Sequence, residues 1–511
     1  MKDHKSILFF LGGALFDYNL KIAKTLRQSN PDVKLSAFVC GRRNLLENVH
    51  QLNGSEYAFN RCDYLNDMIT QWLDREPDYT RLDSYRKKLG DDKLRRIITA
   101  DREIGYGYIH SGYVEKTRLI KFFERHPEKR WSYIIGLLDY CFDILNDQKP
   151  NVVYLYGIAG ADAIALYFAA HSLGIPAVQL SYARLDDYYL LDSSERMMMP
   201  EVRALYHHAL ENPHILNREK YNIASTYIDN FIKKPVRPLD TADWIKKINR
   251  ENSLLGFIRI LIIDVIKMIA VYLGLQGSRG IWRQRLGHEI LRVDTKKFIS
   301  IHQLKLKKFP HLDDIIKSNK FVYYPLHVDP EATTMVMADK LTDQLSVIEH
   351  LSKQIPAGWK IVVKDHIPMI GKRPKEFFER LENIPDVYSI SPFEDNFKCI
   401  KYAETIVTLT GTAGWEGMLL GKVPIVMGYP HYINLEDGFV HCKHPSLLGD
   451  AIKTALSAKP INPEKMKIYS ACMLQDAFEL SAAYFWFKAE MEQSKLDQSI
   501  KDLAERLSRF F

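Results

Sequence analysis

The chain has 511 residues, of which 46% are hydrophobic and 26% are charged, and its formal net charge is +7. This composition excludes a disordered or collagen-like chain, and the length predicts two domains with additions rather than one core. No dense block of Lys and Arg with interleaved aromatic residues occurs, so the sequence disfavours nucleic acid as a partner. Phosphorylated substrates and an anionic membrane surface remain as alternatives for a mildly basic protein.

The cysteines and the first residues predict a cytoplasmic protein. Six cysteines are scattered along the chain without a CxxC pair, which indicates neither a disulfide framework nor a zinc site and favours a reducing compartment. The apolar run at 6–12 is short, lacks a clear cleavage site and continues into an amphipathic pattern, so we interpret it as a strand rather than a signal peptide. Together with the helical pattern that follows and the run LSAFVCG, it predicts the opening of a parallel α/β sheet.

The sequence of the first part of the chain predicts one sheet that is interrupted by a long insertion. Between about 60 and 150 the sequence is charged, aromatic and mostly helical in period, which predicts an insertion. The stretch 151–181 then gives a strand, a glycine turn, an Ala-rich helix and a strand within the length of one βαβ unit. Residues 1–205 are therefore predicted to form an N-terminal Rossmann-like domain with a helical insertion.

A helical, polar region is predicted at 206–320, and it contains an apolar segment at 254–275. The length of this segment suits a membrane span, but Arg259, Asp264 and Lys267 interrupt it. Three charges near the bilayer centre would cost several kcal/mol together, which disfavours a span. An amphipathic helix lying in the membrane interface and a helix buried between the domains remain as two equal alternatives.

The second part shows a clearer alternation of strands and helices. Apolar runs separated by helical patterns predict a second doubly wound parallel sheet over 321–460, and helical patterns continue over 461–511. The predicted fold class is α/β, with two Rossmann-like parallel-sheet domains facing a cleft, helical insertions and a helical C-terminal tail, an arrangement known as GT-B. The predicted strands of the second sheet are 321–327, 360–365, 387–391, 405–410 and 423–428.

Ligands of open parallel sheets bind outside the carboxyl ends of the strands, so the residues that follow each strand are the candidates for a site. Strand 405–410 is followed by two hydroxyls and two glycines at the start of a helix, the composition of a nucleotide phosphate site, although the spacing is not that of a Walker A loop. Glu416 is predicted to accept hydrogen bonds from a ribose, with complementing the helix dipole as the alternative. The predicted phosphate-binding residues are Thr410, Gly411, Thr412 and Ala413.

Two other strand ends of the second half carry polar residues. Lys364 and His366 end strand 360–365, where they are predicted to hold a phosphate or to protonate a departing nucleotide. The alternative is a surface lysine with a capping histidine. Asp329 and Glu331 follow strand 321–327 and are candidates for a base or an acceptor contact, with capping of the next helix as an equal alternative.

In the first half, several acids are candidates for the catalytic carboxylate. Asp162 is favoured because it enters a glycine-rich turn that is expected to face the cleft. Asp101 and Arg184 are predicted acceptor or cleft residues. The pair Asp186-Asp187 lacks the setting of a metal cradle, so the sequence predicts an activity without a metal or other cofactor.

Three stretches of the second half, YYPLHVDPEATT, WKIVVKDHIP and VTLTGTAGWEGMLLGKVPIVMG, resemble bacterial capsule and surface-polysaccharide biosynthesis proteins, the group that includes the Kdo transferases of capsule assembly. The first half matches more loosely through PNVVYLYGIAGADA and IPAVQLSYARLDD. The resemblance implies a GT-B fold and a nucleotide-activated sugar donor, and it carries the roles of the hydroxyl turn and the helix acid to Thr410, Thr412 and Glu416. The family's Lys-Glu-His-Pro is Lys-Asp-His-Ile-Pro at 364–368 here, so the donor need not be CMP-Kdo.

The sequence therefore predicts a glycosyltransferase that moves a sugar from a nucleotide-activated donor, CMP-Kdo-like or another, to a surface polysaccharide or lipid-linked glycan such as lipopolysaccharide. The first domain is expected to bind the acceptor and the second the nucleotide sugar. A peripheral position on the inner face of the cytoplasmic membrane fits this role. Two alternatives stay open: a sugar-nucleotide epimerase of the same fold, and a non-catalytic partner in polysaccharide biosynthesis or export.

Overall fold

The computed structural model of the chain describes residues 5–40, 52, 59–104, 117–236, 253–273, 282, 287–481, 484 and 491–511. Its strands are β1 Ser6–Leu11, β2 Lys34–Val39, β3 Arg61–Tyr64, β4 Val152–Leu155, β5 Ala177–Tyr182, β6 Tyr188–Asp192, β7 Phe321–Pro325, β8 Lys360–Lys364, β9 Val387–Ile390, β10 Thr405–Thr408, β11 Ile425–Val426, β12 Val440–His441 and β13 Phe478–Glu479.

The helices of the first half and of the connecting region are α1 Phe16–Ser29, α2 Leu65–Asp74, α3 Tyr79–Leu89, α4 Asp91–Thr99, α5 Arg118–Arg125, α6 Lys129–Gln148, α7 Ala161–Ser172, α8 Pro200–Glu211, α9 Arg218–Lys233, α10 Leu254–Tyr272, α11 Gly287–Leu306 and α12 Leu312–Ser318. Those of the second half and of the tail are α13 Ala332–Met335, α14 Gln344–Ser352, α15 Lys375–Glu382, α16 Asn396–Tyr402, α17 Thr412–Leu419, α18 Leu448–Ser457, α19 Pro463–Gln475 and α20 Gln493–Ser508.

The first sheet has the strand order β13-β6-β5-β4-β1-β2-β3. Strands β1 to β5 pair in parallel, whereas β6 pairs antiparallel with β5 and with β13. The turn between β5 and β6 contains Arg184 and Asp186 at φ 61° and 40°, the left-handed region that tight turns require. The predicted parallel sheet is therefore confirmed for β1, β2, β4 and β5. Strand β3 lies in the stretch that was predicted to be a helical insertion, and the antiparallel edge was not predicted either.

The second sheet is parallel throughout, with the order β12-β11-β10-β7-β8-β9. All five predicted strands are present in it. The two sheets, each covered by helices, confirm the predicted fold class of two Rossmann-like units.

Apolar side chains fill both faces of the first sheet because alternate residues of a strand point to opposite sides. Leu8 and Phe10 of β1 pack with the helices of the insertion. Ile7 and Phe9 pack instead with α1 and with α20, the last helix of the chain. The C-terminal tail therefore returns to the first half, and β13 adds a strand to its sheet.

A third apolar core joins the two halves. It combines α8, α9 and α19 with Trp415 and Tyr432 of the second half and with residues that follow β5. Polar contacts cross the same boundary, because the Asn434 side-chain amide donates to the Met198 carbonyl at 2.6 Å. The halves therefore contact each other through packed side chains as well as through the connecting chain.

The apolar segment predicted at 254–275 forms helix α10 from Leu254 to Tyr272, and its last two positions lie outside the described residues. In the described part of the chain, no helix combines the length and the apolar character needed to cross a membrane. The alternative of a helix buried between the domains is wrong, because Leu255 and Ile266 of this helix are 81% and 62% exposed.

Candidate active site

The C-terminal edge of the second sheet brings together residues that are far apart in the sequence. Strand β10 lies between β11 and β7, and β8 lies beside β7, so the residues that follow these strands are neighbours. In sheet order, the polar residues at this edge are His431, Thr410, His327 and His366.

The turn between β10 and α17 is held by a histidine that follows the neighbouring strand. Nε2 of His327 accepts the backbone N–H of Thr410 at 3.1 Å. The hydroxyl of Thr410 donates to the carbonyl of Thr333 at 3.0 Å, and the hydroxyl oxygen of Thr408 accepts the N–H of Gly411 at 3.1 Å. The polar groups of Thr410 and the amide of Gly411 are therefore engaged within the protein.

Thr412 differs from Thr410 in its exposure. It is the first residue of α17 and is exposed, whereas Thr410 and Ala413 are buried. The first N–H groups of a helix have no acceptor within the helix, and they lie at the positive end of its dipole. The structure therefore places an exposed hydroxyl at the start of α17, where the Gly414 N–H donates to the Gly411 carbonyl at 3.1 Å.

Two glycines of the turn are explained by packing inside the protein. A Cβ atom at Gly411 would lie 2.8 Å from the hydroxyl oxygen of Thr408, and one at Gly414 would lie 2.1 Å from the hydroxyl of Tyr432. The same Tyr432 hydroxyl donates to the Gly411 carbonyl at 2.9 Å. The glycines thus allow neighbouring side chains to approach the helix.

Glu416 is buried and lies past the first turn of α17. Its Oε2 accepts the Asn396 side-chain amide at 2.7 Å, and the Asn396 oxygen accepts the hydroxyl of Tyr323 at 2.7 Å. Burial raises the pKa of Tyr227, on α9, and the neighbouring groups Tyr182, Asp186 and, least, Glu416 act in the same direction; α9 and α17 are in contact. The carboxylate is therefore oriented by Asn396 and lies near a helix of the connecting region.

The stretch after β8 is braced by a buried ion pair. Arg373 Nε lies 3.0 Å from Asp365 Oδ1, and the same oxygen accepts the His366 N–H at 2.8 Å. Arg373 also donates to the His327 carbonyl at 2.6 Å. Asp365, which shortens the acid of the related motif, therefore positions the backbone on which Lys364 and His366 lie.

The side chain of His366 is both accessible to solvent and surrounded by protein atoms, as expected for a residue in a concave surface. Burial lowers its pKa to about 4, and the positive charges of Lys364 and Arg373 act in the same direction. At neutral pH the imidazole is uncharged, so Lys364 supplies the positive charge here. A bound phosphate would raise the pKa of His366 by adding a negative charge.

The buried histidines predict a loss of stability in acid. Burial lowers the pKa of His327 from 6.5 to about 3, with smaller contributions from His366 and Arg373. Because the unfolded chain then binds more protons below pH 6.5, the free energy of unfolding falls as pH drops, by up to about 1.4 kcal/mol per pH unit. Urea unfolding between pH 7.5 and 5.5 should give a slope that is shallower in His327→Gln than in the unmodified chain.

Comparing the slopes of the variant and of the unmodified chain also cancels the opposing effect of Asp192 on stability. Burial raises the pKa of Asp192 to about 7, so this group stabilises the fold as pH falls from 7 towards 3.8, in both proteins alike. His214→Gln changes an exposed histidine and serves as the matched control, with a slope equal to that of the unmodified chain. Equal slopes in all three proteins would contradict the prediction.

Asp329 and Glu331 form a compact turn before α13. Glu331 makes a capping box with Thr334, in which each side chain accepts the backbone N–H of the other residue. Asp329, which precedes a cis proline, accepts the Thr334 hydroxyl at 2.8 Å. The structure thus gives Glu331 the capping contacts of the alternative noted from the sequence and buries Asp329 beside it.

In the first half, the structure brings Asp101 and Asp162 together at the start of α7. A Cβ atom at Gly160 would lie 2.8 Å from Asp162 Oδ1 and 3.8 Å from Asp101 Oδ2. Asp101 accepts backbone N–H groups from Glu103 at 2.7 Å and Ala161 at 3.2 Å, and so ties the insertion to α7. Two buried carboxylates from distant segments therefore flank one glycine at the end of β4.

Arg184 connects this half to the strand ends of the second sheet. Its guanidinium lies 5.1 Å from the centre of the Tyr182 ring. Burial, followed by the charge of Arg184, lowers the pKa of His431 to about 3. Nearby, Arg196 forms an ion pair with Asp339 at 3.1 Å. The ion pair of Arg196 and Asp339 therefore links the two halves of the chain.

The sequence analysis did not identify His327, Asn396 or His431 as site residues. His327 lies two residues after β7, so its position was a usable signal, whereas His431 lies five residues after β11. The contacts of both depend on which strands are neighbours. Among the residues that the structure describes, no group of three or more His, Cys, Asp or Glu side chains is placed to hold a metal ion.

No protein-family model matches the sequence, and no curated protein matches it. Solved structures similar to the chain include UDP-GlcNAc 2-epimerase from Neisseria meningitidis bound to UDP-GlcNAc, with 12% identity over 98% of this chain and 100% of that one and a TM-score of 0.27. They also include two structures of KpsC from Thermosulfurimonas dismutans. Its beta Kdo 2,4 transferase has 13% identity over 68% of this chain and 86% of that one, with a TM-score of 0.30. Its beta Kdo 2,7 transferase has 12% identity over 72% of this chain and 89% of that one, with a TM-score of 0.29.

Capsule Kdo transferases, the group that the sequence resembles, are thus among these structures. At TM-scores this low, the similarities carry no argument about the activity of the chain.

Proposed function

We propose that this protein is a glycosyltransferase that takes its sugar from a nucleotide-activated donor. The observation that carries the proposal is the exposed start of α17, where the Thr412 hydroxyl lies at the same sheet edge as Lys364 and His366. Backbone donors, a hydroxyl and a cation are the groups that bind a nucleotide phosphate. Asp101 and Asp162 lie at the corresponding edge of the other sheet, where an acceptor would bind.

In this proposal, the second half stabilises the leaving nucleotide. The N-terminus of α17 and the Thr412 hydroxyl donate to the phosphate oxygens, and Lys364 offsets the charge that develops when the glycosidic bond to the nucleotide breaks. His366, neutral in the unliganded protein, takes up a proton beside the phosphate and donates it to a leaving oxygen. Glu416, oriented by Asn396, accepts hydrogen bonds from the ribose.

The first half would activate the acceptor. Asp162 removes the proton of the acceptor hydroxyl that attacks the sugar, and Asp101 positions the turn on which Asp162 lies. Arg184 and Glu331 are proposed cleft contacts, and Asp329 is a second candidate for the base. Lys364 and the helix dipole supply the positive charge that a metal supplies in other transferases, so we propose an activity that persists with a chelator and needs no cofactor.

The proposed acceptor is a surface polysaccharide or a lipid-linked glycan, handled in the cytoplasm at the inner face of the cytoplasmic membrane. The test is a thermal-shift screen with CMP, UDP, CMP-Kdo and UDP-GlcNAc, followed by product analysis with the nucleotide sugar that stabilises the chain. We expect transfer to a glycan acceptor and little turnover without one. Conversion of UDP-GlcNAc without an acceptor would instead identify an epimerase, and no stabilisation by any nucleotide would favour a non-catalytic partner.

A further inference from the structure

Helix α10 exposes apolar side chains and buries its acidic one, the reverse of the usual arrangement in a surface helix that faces water. Its acid, Asp264, is 2% exposed and lies 3.3 Å from Lys267, whereas Leu255, Ile262 and Ile266 are 81%, 55% and 62% exposed. Surface helices normally turn their apolar stripe towards the core and their charges towards water. An apolar stripe on the outside therefore indicates a non-aqueous medium or a partner at this face.

The exposed apolar residues of α10 share one face. They recur at spacings of three and four residues, which places them within one arc of the helix. Phe257 stacks on Phe298 of α11 at 3.9 Å between ring centres and so holds the other face of the helix against its neighbour. The exposed residues of this face are Leu255, Ile258, Ile262, Ile266, Ile269 and Leu273, the residue after the helix, and Leu254, Ile263 and Tyr272 are exposed at its margins.

Positive charge is concentrated in the same part of the sequence. Residues 254–308 contain eleven Lys and Arg against three Asp and Glu, a net charge of +8, whereas the whole chain carries +7. The rest of the protein is therefore close to neutral. Arg259 and Lys267 are exposed on α10 itself, and Arg292 is exposed on α11. An apolar stripe with basic residues around it is the composition of a helix that lies on a membrane with anionic lipids.

The charge also decides between the candidate occupants of this face. A second copy of the chain would bring the same exposed basic residues, Arg259, Lys267 and Arg292, against themselves, and like charges at close range oppose association. Lipid headgroups of opposite sign are attracted instead. Because α10 does not meet the requirements of a span, a helix lying in the interface is the arrangement that fits the observations.

The position of the pair α10–α11 relates this face to the candidate active site. Ile301 of α11 packs against Ile367 and Ile370, which follow His366. A Cβ atom at Gly371 would lie 2.5 Å from the Lys297 Cα atom, so the backbones of α11 and of this turn are close. A surface that is bound by α10 therefore lies within one helix layer of the turn that follows β8.

We propose that α10 and α11 form a docking device for an anionic phospholipid surface, in which the apolar stripe of α10 inserts between lipids and the surrounding basic residues bind their headgroups. This inference stands on the exposure and charge of the helix pair and does not depend on the proposed transferase activity.

The experiment is flotation of the full chain with vesicles, in the absence of any sugar nucleotide. We expect at least tenfold more binding to vesicles of 70% phosphatidylcholine and 30% phosphatidylglycerol than to pure phosphatidylcholine, and loss of most of it in about 0.5 M salt, where the Debye length is shorter than about 5 Å. The double variant Ile262→Glu/Ile266→Glu should reduce binding at least tenfold. Its matched control, Leu447→Glu/Leu456→Glu, changes two exposed apolar residues elsewhere by the same charge and should bind normally.

A second double variant separates insertion from charge. Ile262→Ser/Ile266→Ser keeps the charge of the chain and should also weaken binding to the mixed vesicles. Circular dichroism confirms that each variant is folded before its binding is compared. Equal binding of both vesicle types, binding that survives in both α10 variants, no vesicle binding at all, or a dimer that the α10 variants dissociate would each overturn the inference.

Discussion

Replacing Thr412 with valine should lower kcat/KM for the nucleotide-sugar donor by about 10²-fold, while the melting temperature stays within a few degrees of that of the unmodified chain. Its exposed hydroxyl lies at the start of α17, so its loss removes a donor to the phosphate at the point where negative charge develops. Removing one such preorganised donor costs about 2.7–4 kcal/mol of transition-state stabilisation. The measurement is steady-state transfer with the donor that the thermal-shift screen identifies.

Thr410→Val provides the matched control two residues away. Its hydroxyl donates to the Thr333 carbonyl at 3.0 Å and is buried, so the substitution should destabilise the fold by about 1 kcal/mol. We expect its kcat/KM to fall less than tenfold. The reverse order, with a larger loss in Thr410→Val than in Thr412→Val, would contradict this description of the turn and would restore Thr410 as the phosphate contact.

Asp162→Asn should give the second large effect, a decrease in kcat of about 10²–10⁴-fold with donor binding unchanged. An amide cannot accept the proton of the acceptor hydroxyl, and loss of a general base has this magnitude. Donor binding should persist because the carboxylate lies in the first half, at the start of α7, and the donor is proposed to bind the second sheet. Equilibrium binding of the nucleotide and transfer to the glycan acceptor are measured on the same preparation.

Asp101→Asn tests the neighbouring carboxylate, which has a different role. It accepts backbone N–H groups of Glu103 and Ala161, so we expect a lower melting temperature and a smaller loss of kcat than in Asp162→Asn. Asp92→Asn, an exposed aspartate of α4, controls for the change of charge and should behave as the unmodified chain. If Asp162→Asn retains kcat within about twofold, Asp162 is not the base, and Asp329 becomes the first candidate to test.

Strand β10 shows why the arrangement of the second sheet was predictable. The pattern of an apolar run followed by Thr410, Gly411 and Thr412 is local in the sequence, and the period of the apolar residues distinguishes strand from helix without knowledge of the fold. The same reasoning placed Lys364 and His366 at a strand end, and the structure confirms β8 there. The strand ends that carry Thr410, Thr412, Lys364 and His366 were therefore predictable from local patterns, whereas His327, Asn396 and His431 were not identified.

The antiparallel edge of the first sheet is a part of the fold that local sequence patterns did not predict. The five residues of β6, YYLLD, do not alternate between apolar and polar, and β13 consists only of Phe478 and Glu479, which is too short for a visible period. Their pairing depends on the return of the C-terminal tail to the first half, a contact between segments almost 300 residues apart. Pairing of this kind is decided by tertiary packing.

The sequence by itself determined the alternation of strands and helices, the position of polar residues at strand ends and the charge of 254–308, because these follow from neighbouring residues. Only the tertiary structure decided that Thr410 is engaged by His327 while Thr412 stays exposed, because β7 and β10 are neighbours in the sheet but distant in the chain. It also decided that α10 turns its acid inwards and its isoleucines outwards, since a helical period defines two faces without saying which one meets the protein.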